Sequence, residues 1–205
     1  AGSSELEARL TADHLVGANL AGHDSHGVGM APRYVKSWRA GELMLNRKVE
    51  IVLDNGPLVT IDGMRGMGQS VTAQAMAIAI ERAREHGVCV MGLKNSHHLG
   101  RVGHWAEQAI AAGLASVHFT NAVAASAMVA PYGGASARFL TNPFTVGIAR
   151  PDGEPIVLDF ATSAIAHGKV RVAYNKKQSD ASVQLPEGCI IDAQGKPSRD
   201  PAVMF

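Results

Sequence analysis

IDGMRGMGQS, residues 61–70, decides how this chain is read, because its three glycines sit between a strand-like run and a helix-like run. Upstream, VEIVL (49–53) and LVTID (58–62) have the β-branched content of strands, and Asp54-Asn55-Gly56-Pro57 between them is a hairpin turn signal. Downstream, Ser70 to Glu85 is Ala-rich, with Val71, Met76, Ile80 and Ala83 at helical spacing and Gly87 as a stop. A glycine turn from strand to helix is the setting of a phosphate loop. Here, however, Gly63, Gly66 and Gly68 are ordered G-x-x-G-x-G rather than G-x-G-x-x-G, and no Gly-Lys-Ser/Thr follows. Nor does an acidic residue close a second strand about twenty residues later. The stretch reads as a tight strand-to-helix turn, not a Rossmann signature.

The pattern extends on both sides. Ser4-x-x-Glu7 is a capping box, and Leu6, Leu10, Leu15 and Leu20 recur near helical spacing up to Gly22. A second helix starts around Pro32, with Tyr34, Val35 and Trp38 as its apolar face, and ends at Gly41. Beyond the Ala-rich helix, VCVMGLKN (88–95) reads as a short buried strand, GHWAEQAIAAG (103–113) as a helix and LASVHFTNA (114–122) as a strand. FTVGIA (144–149) and IVLDFA (156–161), joined by RPDGEP, form a second hairpin; the tail from Asn175 is polar, with CIIDAQGKP (189–197) as a further strand and turn. Two hairpins mixed with crossover helices predict an α/β (mixed α+β) fold with a mixed or antiparallel sheet and a helical N-terminal domain. The change of period near residue 45 divides the chain into a helical segment, 1–45, and a sheet domain, 46–205. The missing initial Met and the ending at DPAVMF without a closing element lead us to expect a piece of a longer chain.

Composition narrows the function classes. The chain has 205 residues, 46% hydrophobic and 18% charged, with a formal charge of +1 and its basic residues dispersed. We therefore expect neither nucleic acid nor an anionic membrane surface as partner. No apolar run approaches the ~20 residues of a membrane-spanning helix, and AGSSELEARL is unlike a signal peptide. Cys89 and Cys189, far apart in strand contexts, suit reduced thiols and a cytoplasmic setting.

Two segments concentrate chemistry. AGHDSHGVGMAPRY (21–34) holds His23, Asp24, Ser25 and His26; KNSHHLGRVGH (94–104) holds His97, His98, Arg101 and His104 between a strand end and a helix start. The first turn of that helix is a setting for phosphate, with Arg101 able to pair with it. The nine histidines raise a metal site, but no H-E-x-x-H, H-x-H or C-x-x-C is present. A serine hydrolase lacks its G-x-S-x-G. Ser25 reads as orienting His26, a candidate proton donor.

Together HDSHG (23–27), DGMRGMGQ (62–69), NSHHLGRVG (95–103), VAPYGG (129–134), TNP (141–143) and DFATSAIAHGK (159–169) resemble the malate/L-lactate dehydrogenase family of NAD(P)-dependent 2-oxoacid and imino-acid reductases. The resemblance implies a homodimer, a non-Rossmann dinucleotide-binding sheet and a separate helical domain. It also implies a later Gly-His-Lys-Gly-type segment that this sequence does not contain. It matches His26 to the proton-donating histidine and Ser25 to its partner, with His98 as a competing acid/base. It matches Thr141, His167 and Gly168 to substrate positions. His98, Gly100, Arg101, Val102, Asp159, Phe160, Ala161 and Lys169 correspond to cofactor positions, the cofactor being NAD, with NADP open. Many members carry Arg where this chain has Met30, so Arg33, Arg101 or backbone amides would bind the substrate carboxylate, and an apolar or aromatic 2-oxo acid is favoured. Cyclic imino-acid reduction, a metal-dependent hydrolase built from the histidine clusters, and a non-catalytic dinucleotide-binding protein are the alternatives.

Overall fold

The computed structural model of the chain describes residues 2–123 and 126–205 and is mixed α/β. It divides into two compact units: one runs to Ser116 and adds Val146–Val157, the other comprises Val117–Thr145 and Leu158–Phe205.

In the first unit, α1 (Glu5–Leu20) and α2 (Ala31–Arg39) precede the hairpin of β1 (Glu50–Asn55) and β2 (Leu58–Asp62), which turns at Gly56-Pro57 as the sequence predicts. Next come α3 (Gly68–His86), β3 (Val90–Lys94) and α4 (Gly103–Ala111). β2 is the middle strand, antiparallel to β1 and parallel to β3, so α3 is the crossover that a parallel pair requires. Val59 and Ile61 of β2 pack on Ala75 of α3; Met76 meets Val102, Trp105 and Ala109; Leu15, Tyr34, Leu43 and Met67 form a third cluster. Both cysteines are free thiols.

Three expected faces differ from those observed. On α1, Leu6 and Leu20 are exposed, whereas Glu7, His14, Leu15 and Ala18 are buried. Ser4 caps the helix by accepting from the Glu7 N–H, but the Glu7 carboxylate turns away from the capping box to accept from the Asn46 N–H at 2.9 Å. On α2, Tyr34 and Ser37 are buried while Val35 and Trp38 are partly exposed. β3 is an edge strand rather than a buried one, with Val90 60% exposed. On α1 the buried face is decided by Asn46 and Arg101, partners distant in sequence, and on β3 by its place at the sheet edge, neither of which periodicity registers.

β4 (Ser116–Phe119), β5 (Pro143–Ile148) and β6 (Ile156–Ala161) form another sheet in that order. In the second unit, Thr145 donates its hydroxyl to Asp159 Oδ1 at 2.7 Å. α5 (His167–Lys177), a helix that the pattern did not reveal, contributes Val170 to a cluster with Leu185 and Ile190. β7 (Ile190–Ile191) and β8 (Pro197–Ser198) pair antiparallel around a turn held by Asp192, which accepts from the Gln194 and Lys196 amides.

Candidate active site

HDSHG folds as two short 3-10 turns, Asp24–His26 and Val28–Met30, between α1 and α2. Asn19, near the end of α1, laces them: its Oδ1 accepts from the Val28 N–H at 2.9 Å and its Nδ2 donates to Asp24 Oδ1 at 2.5 Å. A Cβ on Gly27 would collide with that Asn19 amide, its Nδ2 lying 2.6 Å away, so the glycine is required for close approach. Within this turn Ser25 Oγ lies 2.9 Å from His26 Nδ1. The His23 ring meets His26 edge-on at 4.6 Å.

The glycine turn seats the second histidine segment. A Cβ on Gly68 would lie 2.6 Å from the His98 carbonyl carbon, and one on Gly63 would be 3.2 Å from Asn95 O. Asp62, at the end of β2, accepts from the Met64 N–H and from Asn95 Nδ2, while the Arg65 N–H donates to Asn95 O at 2.7 Å. Met64, Arg65 and Asn95 all adopt positive φ, at 53°, 56° and 52°, a conformation that persists only where its surroundings enforce it. The three glycines therefore hold the histidine loop against the start of α3.

His26 and His98 thereby stack, with ring centroids 5.2 Å apart and planes 22° from parallel. Tyr34 Oη is 2.8 Å from His98 Nδ1, and Gln69 Nε2 donates to Tyr34 Oη at 3.0 Å. Burial, reinforced above all by the neighbouring charges of His26 and Arg33, pushes the His98 imidazole down to about 3. His98 is therefore neutral near pH 7. Burial also raises the Tyr34 phenol, which stays protonated.

His14, which sequence reasoning missed, lies beneath the loop that follows. Its Nε2 accepts the Arg101 N–H at 2.9 Å, and burial holds it neutral, at about 3. Gly100 has φ +75°, and a Cβ there would overlap the His14 ring, with Cδ2 at 2.6 Å. The Arg101 guanidinium is committed to Glu107, with Nη1 and Nη2 at 2.9 and 2.6 Å from its two oxygens. What this loop offers an anion is therefore the positive end of the α4 dipole rather than a free guanidinium.

Of the other predicted residues, Val102 is buried against Trp105, and Met30 packs partly on the Leu15–Tyr34–Leu43–Met67 cluster. Thr141, Asp159, Phe160, Ala161, His167, Gly168 and Lys169 belong to the second unit. There the Thr141 carbonyl accepts from the Thr162 N–H, and the half-exposed Phe160 ring lies 5.8 Å from Phe144. His167 opens α5 and lines a cavity of about 350 Å³ with Met128, Ala130 and Asp192. Among the described residues no cluster of His, Cys, Asp or Glu could hold a metal ion; stacked rings such as His26 and His98 do not aim their in-plane lone pairs at one point.

The stacking of two histidines from separate loops, one beside a serine and the other beside a tyrosine, places this mixed α/β chain in the class of proteins with a part-buried paired-histidine site. The chain belongs to the malate/L-lactate dehydrogenase family, whose model matches residues 1–205. It is 53% identical over 203 residues to hydroxycarboxylate dehydrogenase B of Escherichia coli (strain K12), covering 99% of this chain and 55% of that protein. Sulfolactate dehydrogenase from Methanocaldococcus jannaschii superposes with a TM-score of 0.85 at 35% identity, over 99% of this chain and 56% of that one. Delta1-piperideine-2-carboxylate reductase from Pseudomonas syringae pvar. tomato does so with a TM-score of 0.87 at 31% identity, over 99% and 59%. The chain thus spans about half the length of the relatives it matches. Among the described residues no helix is long and apolar enough to cross a membrane.

Proposed function

We propose that the complete protein is an NAD(P)-dependent dehydrogenase that interconverts a 2-hydroxy acid and a 2-oxo acid, with His26 as proton donor and acceptor. The observation that carries this is the pairing of His26 with Ser25 Oγ at 2.9 Å beside a stacked His98 held neutral. A bound nicotinamide dinucleotide would exchange the hydride with the substrate carbon. As charge grows on the carbonyl oxygen, the His26 Nε2–H delivers a proton, while Nδ1–H stays donated to Ser25 Oγ and keeps the ring in one orientation. In the reverse direction Nε2 takes the hydroxyl proton. Arg101 is spent on Glu107, so the substrate carboxylate falls to Arg33, whose charge reaches Tyr34, His97 and His98. Met30 makes the adjoining wall apolar, which favours an apolar or aromatic acid. Gly100, Val102 and the start of α4, with Asp159, Phe160, Ala161 and Lys169, serve the cofactor; Thr141, His167 and Gly168 serve the substrate.

The working form is a homodimer in the cytoplasm. Ile51, Val52 and Leu53 on β1 and Val90 on β3 support an assembled state, since each is exposed by 43% or more. The test is oxidation of NADH and NADPH by the complete protein against a panel of 2-oxo acids, including phenylpyruvate and oxaloacetate, and of cyclic imines. Turnover of an aryl 2-oxo acid supports the proposal. Turnover of cyclic imines alone would move it to imino-acid reduction, and no turnover with any would refute it.

A further inference from the structure

We infer that Gln69 and Tyr34 are positioning residues that fix His98 as a neutral Nε2–H donor, so that His98 binds a substrate oxygen while His26 moves the proton. The direction of each hydrogen bond follows from chemistry. Gln69 Nε2 faces both Tyr34 Oη, at 3.0 Å, and the His98 carbonyl oxygen, at 3.5 Å. A backbone carbonyl only accepts, so the amide nitrogen, not its oxygen, is turned this way. Tyr34 Oη therefore receives the Gln69 N–H and has its own hydrogen left to give. Among the described residues the acceptor it meets is His98 Nδ1, at 2.8 Å, and with the ring buried a second accepted bond would leave the phenol hydrogen stranded. A ring that accepts at Nδ1 carries its single hydrogen on Nε2.

Two features separate this relay from ordinary packing. Gln69 is fully buried, yet its Oε1 has no partner among the described residues, an arrangement that costs about 1–3 kcal/mol. A leucine or methionine would fill the volume without that cost, so what the position retains is the donor. The His98 ring is also held from three sides: Tyr34 at Nδ1, the His26 ring on its face, and the Gly68 close approach at its backbone. Resting on the dehydrogenase assignment, a fixed neutral N–H beside a proton donor supplies a hydrogen bond without competing for the proton.

The experiment has one readout that needs no activity. In the complete protein, the ring nitrogen shifts of His98 should show the Nε2–H tautomer without titration from about pH 5 to about pH 8. In Tyr34→Phe, which retains the buried ring, and in Gln69→Met the tautomers should mix. Both variants should raise KM for the 2-oxo acid about tenfold, the loss of one hydrogen bond of ~1.4 kcal/mol, with kcat and its pH profile nearly unchanged. An Nδ1–H tautomer or an imidazolium at neutral pH overturns the relay. The expected tautomer with unchanged KM overturns the substrate contact, and a shifted kcat–pH profile overturns the division of labour. If the parent turns over no 2-oxo acid, the dehydrogenase assignment fails while the nitrogen shifts still decide the relay.

Discussion

Replacing Gly100 with Ala tests whether that glycine exists for His14 or for a cofactor. At φ +75° an L-residue loses about 1–2 kcal/mol to its own backbone. The added Cβ would also overlap the His14 ring, 2.6 Å from Cδ2 and 3.0 Å from Gln69 Nε2. Either the ring or the loop must shift, and the 2.9 Å bond from the Arg101 N–H to His14 Nε2 breaks. A buried donor left without its acceptor costs about 1–3 kcal/mol, bringing the whole loss to roughly 2–5 kcal/mol. In a His14→Ala background the ring and that bond are already gone, so the same substitution should cost only the backbone share of ~1–2 kcal/mol. The coupling between the two positions should therefore be about 1–3 kcal/mol. Urea unfolding of the complete protein reports it through Trp105, which is buried with its ring 5.1 Å from His14. Additive effects within about 0.5 kcal/mol, or Gly100→Ala leaving stability intact while abolishing dinucleotide binding, would refute the packing role.

The same histidine predicts a pH dependence. Below about 6.5 the unfolded chain takes up a proton at His14 that the folded ring, at about 3, does not. Stability should therefore fall as pH drops from 6.5 towards 3, with up to about 1.4 kcal/mol per pH unit from this group. His14→Gln should remove that share of the slope, and an unchanged slope in urea titrations counts against a buried neutral ring. Asn19→Ala should free the HDSHG turn by removing the Val28 and Asp24 bonds; kcat should drop several-fold with stability lowered by about 1–2 kcal/mol, and wild-type kcat would show that Asn19 does not hold the turn. Dialysis against a chelator should leave turnover intact; activity lost and then restored by zinc would revive the hydrolase alternative.

The parts of the fold legible in the sequence were those whose causes are local. The Asp54–Pro57 turn, the Ala-rich α3 with its Gly87 stop, and the refusal of a Rossmann loop at Gly63–Gly68 all rest on backbone preferences that adjacent residues determine. The buried face of α1 was not legible, because Glu7 and His14 look solvent-facing until Asn46 and Arg101, 39 and 87 residues away, arrive to pair with them. α5 escaped for another reason: HGKVRVAYNKK has no apolar stripe and buries only Val170. Within the site, Ser25 beside His26 was readable as a dipeptide. From the sequence Tyr34 reads as an apolar face residue and Gln69 as part of a motif, because the hydrogen bond that links them spans 35 positions.

The most direct test of the central claim compares His26→Asn with His98→Asn in the complete protein, measuring kcat against pH alongside dinucleotide affinity. Asn keeps rough size and polarity but carries no titratable proton, so His26→Asn should lower kcat by about 10²–10⁴-fold and flatten its pH dependence, with dinucleotide affinity little changed. Ser25→Ala should cost less, since that hydroxyl only orients the ring, and His98→Asn should act on KM with the pH profile retained. A collapse of kcat in His98→Asn beside a nearly silent His26→Asn would contradict the assignment of the proton to the HDSHG turn.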